Sequence, residues 1–510
     1  MAILAGDLAT SWRPPRSDFP KGRFRPVYAS ATIRSIDSGD MRHPQTCQYR
    51  ALSTRGQHLE RRYSGRVFAQ LPVELKPEYN TAEINDPIVL HEGGMELVQD
   101  GKSWHGTGII RFEWLPFSRV AARFHPSDQN GHIELKTATI RIAALKTEAD
   151  FNVSRAPWAY PDPAADPVEG ILRQVTCGDL TACVCLRFHI PNLPQWIGDP
   201  VRTQGGGSAL KRFLLRHGDW DVTLDAIKFE SRDYQILKQT GGYLLTHVGT
   251  LARRDGAPFS FAECEPLLEC LSYFLSFCRG AWTLPILVSA EDSQGQVIGR
   301  RWTTGLVDRY RSTCSWVPST EPFAAGLQSA FAGFAKAWFS QLWGDALRTV
   351  TQWYVESSTG AAEKSIILIQ AALEVLAWVR LVQDKRILTE KNWKDRKNTF
   401  ASKLRTLLSL SSIMESIPAD LAGLDTYCRD NQLSGGPEGI TSVRNALVHP
   451  SPVKRARLKK HPSALIDAWL LASWYLDLSI LSACGYQGRY SNRTVRNGWK
   501  GDEVEVVPWC

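Results

Sequence analysis

The chain lacks most of the patterns that assign a protein to a class from sequence alone. Its 510 residues contain no internal repeat at the roughly 20 to 50 residue periods of solenoids, and no low-complexity tract. The glycines at 205–207 lack the lysine of a phosphate-binding loop, and no Gly-x-Ser-x-Gly elbow occurs. Repeat architectures are therefore excluded. Because the phosphate-binding loop and the serine-hydrolase elbow are both absent, neither motif indicates nucleotide binding or hydrolysis.

The cysteines do not form a recognisable framework either. Eleven of them are scattered along the chain, which is unlike the even, closely spaced set of a disulfide-stapled secreted domain. Cys177, Cys183 and Cys185 are the closest group, and no second pair stands at zinc-site spacing. We therefore expect a reducing, cytoplasmic environment, core thiols, no metal site and no cofactor.

The longest apolar run, at residues 464–483, has the length of a membrane span. Asp467 and Asp477 interrupt it, and a carboxylate is costly in lipid, so a helix buried in protein is predicted. Residues 1–6 are too short for the apolar core of a signal peptide before Asp7. The expectation is a soluble protein with no membrane partner.

The overall composition is that of a globular protein, with 43% hydrophobic and 22% charged residues. The net charge of +8 favours acidic partners, although 60 basic against 52 acidic residues is a mild excess for this length. Affinity for nucleic acid would therefore depend on local clusters of charge.

Hydrophobic periodicity predicts an α+β multidomain protein, with a β-rich first half of sandwich-like sheets and an all-α second half. We expect a β-rich sensing or docking region at 1–255, a helix and hairpin with a linker at 256–320, a helical bundle at 321–495 and a C-terminal tail at 496–510. Strands are predicted at 63–73, 108–114, 133–143, 182–190, 220–227 and 242–251. A helix at 261–282 and a hairpin of 284–289 with 296–302 follow, and then helices at 323–343, 347–357, 361–383, 400–409, 440–448 and 463–484.

The most informative motif is Arg-Asn-Ala-Leu-Val-His at 444–449. Pro450 disfavours helical geometry in the residue before it, so a helix through Arg444 should end at His449, and Pro452 extends the break. Five helical steps place the two side chains about 140° apart, so only local unwinding or a second copy of the chain would bring them together. The alternative interpretation is a structural arginine and an ordinary C-capping histidine.

A basic run follows this motif. Residues 453–461 carry five formal positive charges and no acid: Lys454, Arg455, Arg457, Lys459 and Lys460. Such a cluster favours polyanions through counterion release, although an isolated run of this kind can equally be a solvated face. Its position next to Arg444 and His449 favours RNA binding.

A polar pair stands in an otherwise apolar predicted helix. Gln370 and Glu374 are four residues apart on one face, and a buried carboxylate needs a partner. Arg444 is one candidate, which would place the pair behind the proposed site. A structural arginine such as Arg348 is the other candidate, and both remain open.

Arg444-Asn445 with His449 resembles the Arg-Asn-x-x-x-His signature of the HEPN superfamily. The segment Gly-Tyr-Gln-Gly-Arg-Tyr-Ser-Asn-Arg at 485–493, with Ala-Leu-Glu at 372–374, is similar to large HEPN proteins of the ApeA-like type, associated with phage defence. The resemblance covers about residues 323–495, whereas the first 320 residues match only in their β-rich character.

This resemblance implies a metal-independent endoribonuclease that acts as a homodimer and serves as a bacterial defence or toxin-type effector. His449 would be the general acid or base, Arg444 the phosphate clamp, and Asn445 an orienting group. The resemblance also implies single-stranded or looped RNA as substrate, and a phage-derived or host trigger at the β-rich half is expected by analogy. The alternative is a noncatalytic RNA- or protein-binding protein whose bundle serves dimerisation and docking.

Overall fold

The first strands of the described chain close into a barrel. A computed structural model of the chain describes residues 71–127, 133–156, 167–227, 231–449 and 451–510, so most of the strand predicted at 63–73 lies outside the described part. The six strands of the barrel are antiparallel, in the order β1-β2-β3-β6-β5-β4. They are β1 (Ile88–Gln99), β2 (Lys102–Glu113), β3 (Arg119–Pro126), β4 (Thr137–Ile142), β5 (Thr147–Arg155) and β6 (Val168–Leu172).

Alternation along these strands fills the interior of the barrel. Ile110, Phe112 and Phe124, for example, are fully buried, while their strand neighbours are more exposed. The expectation of sandwich-like sheets was wrong here: β1 pairs with β2 on one edge and with β4 on the other, and this closes the sheet on itself.

A second, eight-stranded sheet follows, in the order β7-β14-β13-β8-β12-β11-β10-β9. Its strands are β7 (Gln174–Gly178), β8 (Cys185–Pro191), β9 (Asp199–Arg202), β10 (Ser208–His217), β11 (Trp220–Ala226), β12 (Leu245–Arg253), β13 (Ile286–Glu291) and β14 (Val297–Thr303). Helix α1 (Arg232–Thr240) connects β11 to β12. The predicted hairpin is confirmed as β13 and β14, with Asp292 Oδ1 accepting from the backbone N–H groups of Gln294 and Gln296 in its turn.

Helix α2 (Phe261–Arg279) joins this sheet to the helical half, and it is three residues shorter than the predicted 261–282. Ser260 and Glu263 form a capping box at its start, and Gly280 ends it in the left-handed conformation. The buried apolar cluster that contains α2 extends from strand β8 to the C-terminal helices. One continuous core therefore connects the second sheet to the bundle.

The C-terminal half is helical. Its helices are α3 (Ala324–Trp338), α4 (Gly344–Ser358), α5 (Ala362–Trp378) with a π-helical turn (Val379–Asp384), α6 (Glu390–Lys394), α7 (Phe400–Ser409), α8 (Ala422–Asp430), α9 (Gly436–Val448), α10 (Pro452–Lys460) and α11 (Ala464–Ala483). The prediction of a β-rich half followed by a helical half is confirmed. Helices α6, α8 and α10 were not predicted, and the predicted helix at 323–343 is shorter, because α3 ends at Trp338.

Two helices are long and apolar enough to cross a membrane by length and composition, Ala362–Asp384 and Ala464–Ala483. In α11, 83% of the most apolar window is buried inside the protein, which is the environment of a core helix. Asp467 and Asp477 are buried as well and face Arg496 and Arg493 of the C-terminal segment. The expectation of a helix buried in protein is confirmed for this segment.

The last residues fold back onto the bundle. Strand β15 (Arg489–Ser491) pairs with β16 (Val504–Val506), and Val507 is buried. Tyr486 and Tyr490, from the segment 485–493 that carried part of the resemblance, are each 1% exposed, and the Trp474 indole N–H donates to the Tyr490 hydroxyl. This segment contributes structural anchors.

Candidate active site and nucleic-acid interface

Helix α9 carries the predicted catalytic residues, and its start is held firmly. Glu438 in its first turn accepts hydrogen bonds from the backbone N–H of Ser434 and from the guanidinium of Arg405, each at 2.8 Å. The Ser434 N–H, and next the Arg405 side chain, lower the pKa of the Glu438 carboxyl. Gly436 lies so close to α11 that a Cβ there would be 2.5 Å from the Tyr475 hydroxyl oxygen. Only glycine permits this approach of α9 to α11.

Ile440, Val443 and Ala446 lie on one face of α9, and all three are buried. Arg444 and Asn445 are only partly buried beside that face, and His449 is exposed. The three predicted catalytic residues are therefore accessible from solvent at the C-terminal end of α9.

The Arg444 guanidinium has few partners inside the protein. Its Nη1 donates to Asn445 Oδ1 at 3.2 Å, and its Nε is buried without a hydrogen-bond acceptor among the described residues. In the described part of the chain no carboxylate lies within 4.0 Å of it. This leaves charge and donor capacity for an external anion.

His449 ends the helix, as predicted. Its φ and ψ of −119° and 66° are outside the helical region, and its backbone N–H donates to the Asn445 carbonyl at 3.0 Å. Pro450, on which the prediction rested, lies outside the described residues. Within the described chain no hydrogen bond joins the His449 ring to Arg444, and the helix between them is regular to Val448. The structure therefore places both residues at one end of α9 without bringing their side chains into hydrogen-bond contact.

The prediction that Glu374 is a buried carboxylate in need of a cationic partner was wrong. Glu374 is exposed, and its Oε1 accepts from Gln370 Nε2 at 3.1 Å. It forms an ion pair neither with Arg444 nor with Arg348, which instead faces Glu269 and Asp345. An exposed carboxylate is hydrated and needs no cationic partner, so the reason for placing Glu374 behind the site disappears.

Gln370 is the buried member of that pair. It is 4% exposed, and its Oε1 has no hydrogen-bond partner within the described residues. Helix α5 packs against α9. Gln370 thus remains a polar group inside the bundle, with no observed contact to Arg444.

The basic run forms a helix of its own, α10, which the sequence interpretation missed. Pro452 occupies its first turn and Ser451 Oγ accepts from the Lys454 backbone N–H at 3.2 Å, so this proline starts a helix and does not merely extend a break. The Ser451-Pro452 pair is a helix-start signal. The helix was missed because the nine residues of α10 lack apolar periodicity.

Helix α10 is almost entirely solvated. Only Leu458 is partly buried, and the four cations Lys454, Arg455, Arg457 and Lys459 are exposed, with no carboxylate within 4.0 Å among the described residues. Lys460 differs, because it pairs with Asp430 at 3.2 Å. Of the five predicted RNA-binding residues, four present free charge, and one is engaged within the chain.

Asp430 and His461 are residues of this region that sequence reasoning did not single out. His461 is 9% exposed; its Nε2 lies 3.3 Å from Asp430 Oδ2, and its ring packs edge-on against Tyr427. The Tyr427 hydroxyl in turn shares a hydrogen bond of 2.8 Å with Ser442 on α9. These contacts fix the C-terminal end of α10 to α8 and α9.

Two histidines of the β-rich half, His189 and His247, are fully buried. Burial lowers the pKa of His247 and of His189 to about 3, so both rings are neutral at physiological pH. Cys177 and Cys183 are buried, and burial raises the pKa of the Cys183 thiol to about 11. Neither these two histidines nor these two cysteines provide a titrating or nucleophilic group near neutrality.

Comparison with known proteins gives a family. Residues 179–313 match the YopA central domain and residues 340–505 match the YopA C-terminal domain. The SPbeta prophage-derived uncharacterized protein YopA of Bacillus subtilis (strain 168) is 31% identical over 446 residues, which is 86% of this chain and 98% of that protein. No solved structure matches the chain. The similarity covers both halves of the described fold, and the chain belongs to the YopA family.

Proposed function

We propose that this protein is a metal-independent endoribonuclease that cleaves single-stranded or looped RNA, acting as a bacterial defence or toxin-type effector in the cytoplasm. The observation that carries the proposal is the juxtaposition at the end of α9. Among the described residues Arg444 has no carboxylate partner, His449 is exposed, and the helix that follows directly carries four cations without an ion pair.

The proposed chemistry uses the substrate's own nucleophile. The ribose 2′-hydroxyl attacks the adjacent phosphorus, its proton passes to a base, and the P–O5′ bond breaks as the leaving oxygen takes up a proton. An imidazole is suited to such transfers near neutrality by residue type, and His449 is the candidate. Arg444 remains charged and would clamp the phosphate oxygens, where charge accumulates in the transition state.

Asn445 has a defined place in this scheme. Its Oδ1 holds Arg444 Nη1, which leaves the other guanidinium N–H groups for the phosphate. The cations of α10 would bind the flanking backbone and draw polyanions to the site.

A second copy of the chain completes the proposed site. Because Arg444 and His449 of one subunit form no hydrogen bond and diverge by about 140° around a regular helix, a homodimer through the HEPN-type bundle would supply the pairing between subunits. The same separation supports the alternative function, in which the bundle binds RNA or protein and dimerises without cleaving.

The relative's prophage origin supports a role in conflict between phage and bacterium. In this proposal the barrel and the second sheet serve as the sensing or docking region for a phage-derived or host trigger. This assignment rests on fold analogy.

The deciding experiment incubates purified protein with total RNA in EDTA and analyses the product ends. We expect 2′,3′-cyclic phosphate or 3′-phosphate termini and no cleavage of DNA, which lacks the 2′-hydroxyl. Arg444→Ala and His449→Ala should each abolish cleavage while the protein stays folded by circular dichroism. Arg396→Ala and His125→Ala, which remove exposed residues of the same types elsewhere, are the matched controls and should cleave normally.

Two outcomes count against the nuclease. Cleavage that requires magnesium would contradict the mechanism. RNA retention without cleavage at any pH between about 6 and 8, where an imidazole should be competent, would establish the binding alternative.

A further inference from the structure

A pair of adjoining cavities lies between helix α1, the end of α2, the segment 308–319 and the C-terminal segment. Their volumes are about 500 and 430 Å³, and they share walls formed by Lys238, Tyr310 and Arg311. We refer to the two together as the basic cleft. It is built from different residues than the α9 and α10 region, and the proposed function does not use it.

The walls of the basic cleft are strongly cationic. They contain five basic residues, namely Lys238, Arg279, Arg309, Arg311 and Arg493, and two acidic residues, namely Asp308 and Glu503. Arg493 is neutralised by Asp477 behind the wall. The remaining groups still carry an excess of positive charge around an open cleft.

Arg279 is the unusual member of this set. It is 1% exposed, yet no carboxylate lies within 4.0 Å of it in the described part of the chain. Within the described residues its guanidinium donates to three backbone carbonyls, of Trp282 at 2.7 Å, Asp308 at 3.1 Å and Arg309 at 3.3 Å, and its Nε has no acceptor there. Burial lowers its pKa to about 10, so it stays protonated at neutral pH.

A buried cation without an anionic partner is costly for a protein to keep. The charge of Asp308 offsets part of that cost, but its carboxylate is held by the Trp282 backbone N–H at 2.8 Å and does not reach the guanidinium. An external anion would supply the missing counter-charge.

The entrance of the cleft has cations that are free to bind such an anion. Lys238 is exposed and lies over the Tyr234 ring at 4.8 Å, with no ion pair among the described residues. Arg311 is exposed, and its contacts to Asp308 and to the Thr359 carbonyl are both 3.5 Å long. Both side chains can turn toward a ligand at little loss of internal contacts.

We propose that the basic cleft binds a small phosphorylated ligand, with Arg279 providing fixed charge at its base and Lys238 and Arg311 closing over the phosphate from the entrance. Guanidinium forks and an ammonium group match the tetrahedral oxygens of a phosphate ester, and the cleft volume is in the range of small-ligand sites.

The test is titration calorimetry on the full chain with three probes: inorganic phosphate, AMP and citrate. Inorganic phosphate and AMP should bind, and AMP binding distinguishes an esterified phosphate from the free ion. Lys238→Met/Arg311→Met should weaken AMP binding at least about tenfold, the loss expected when one charge-assisted hydrogen bond is removed.

The control is Lys336→Met, which removes an exposed positive charge on α3 away from the cleft and should bind AMP like the wild type. Both substituted positions at the entrance are exposed, so the double variant should fold normally. Arg279→Met would be less informative, because its three backbone bonds make it structural as well. Absence of binding to phosphate and AMP, equal AMP binding by the double variant, or citrate binding as tight as that of AMP would each overturn the proposal.

Discussion

The buried ion pair of Arg493 and Asp477 should hold the C-terminal segment to the bundle. Arg493 Nε lies 2.6 Å from Asp477 Oδ2 and its Nη2 lies 2.9 Å from Oδ1, so the contact is bidentate. Nη2 also donates to the Tyr354 hydroxyl at 3.0 Å. The side chains are 3% and 0% exposed, so water cannot replace either partner.

We expect Arg493→Met to lower the free energy of unfolding by about 3 to 5 kcal/mol, the usual cost of leaving one member of a buried pair uncompensated. Burial already raises the pKa of the Asp477 carboxyl, and loss of the guanidinium removes the charge that opposes this effect. The double variant Asp477→Leu/Arg493→Met leaves no unpaired charge, so it should be more stable than the single variant by several kcal/mol.

Urea denaturation at pH 7, followed by tryptophan fluorescence, measures both effects. Arg489→Met is the matched control in the same segment, since that side chain is 53% exposed and pairs with Glu321 at 3.1 Å; its loss should cost less than about 1 kcal/mol. If Arg493→Met costs no more than Arg489→Met, the pair does not hold the segment and the reasoning is refuted.

Two further predictions concern charge. The four free cations of α10 are Lys454, Arg455, Arg457 and Lys459, and their replacement by glutamine should weaken RNA binding at low salt. The slope of log K against log salt should fall by up to about 3, at roughly 0.7 per phosphate contact on a single strand. Filter binding across a salt series measures this slope. The control removes four exposed cations elsewhere in the helical half, namely Lys385, Lys391, Arg396 and Lys397, and an equal loss of slope there would refute a specific role for α10. Acid should destabilise the β-rich half, because burial lowers the folded-state pKa values of His189 and His247 from 6.5 to about 3. Between those two pH values the unfolded chain binds more protons than the folded chain. The contribution to the free energy of unfolding is therefore complete above about pH 6.5 and falls toward pH 3 by about 1.4 kcal/mol per pH unit and histidine. Urea denaturation from pH 7 to 4.5 should show a shallower pH slope for His247→Gln than for the wild type, and parallel slopes would contradict the assignment.

Elements with local signals were predictable from the sequence. Helix α7 was predicted with its observed bounds, because Thr399 caps it by accepting from the Ser402 backbone N–H and apolar residues recur at helical spacing. The β13–β14 hairpin was found from its Asp-Ser-Gln-Gly turn. In both cases the determining contacts lie within a few residues of each other.

Non-local features were not predictable in the same way. Closure of the barrel depends on β1 pairing with β4 as well as β2, which no local pattern encodes. The exposure of Glu374 depends on which side of α5 the other helices cover, and the sequence there is apolar nearly all round. Helix α10 was missed for the opposite reason, since its charged residues show no apolar period, although Ser451 and Pro452 mark its start.

The accessibility of the proposed catalytic residues also depended on packing. The motif at 444–449 could have been buried, as a structural arginine and a capping histidine would allow. Instead α9 buries Ile440, Val443 and Ala446 and leaves His449 exposed. The sequence identified the residue types and the end of the helix, whereas only the packing of α9 shows that these side chains lie at the surface.

Helix α11 connects the basic cleft to the proposed active site. Arg493 lines the cleft and is bound to Asp477 on α11, and α11 packs against α9, which carries Arg444. A phosphorylated ligand in the cleft would therefore lie beside the ion pair that joins the C-terminal segment to α11, the helix that packs against the proposed active-site helix. We expect saturating AMP to change the affinity of the wild type for RNA by about fivefold or more, and to leave Lys238→Met/Arg311→Met unaffected. Linkage requires the reciprocal effect, in which RNA changes AMP affinity by the same factor, so both titrations should be made on His449→Ala to prevent cleavage. Unchanged affinity in both directions would show that the two sites act independently.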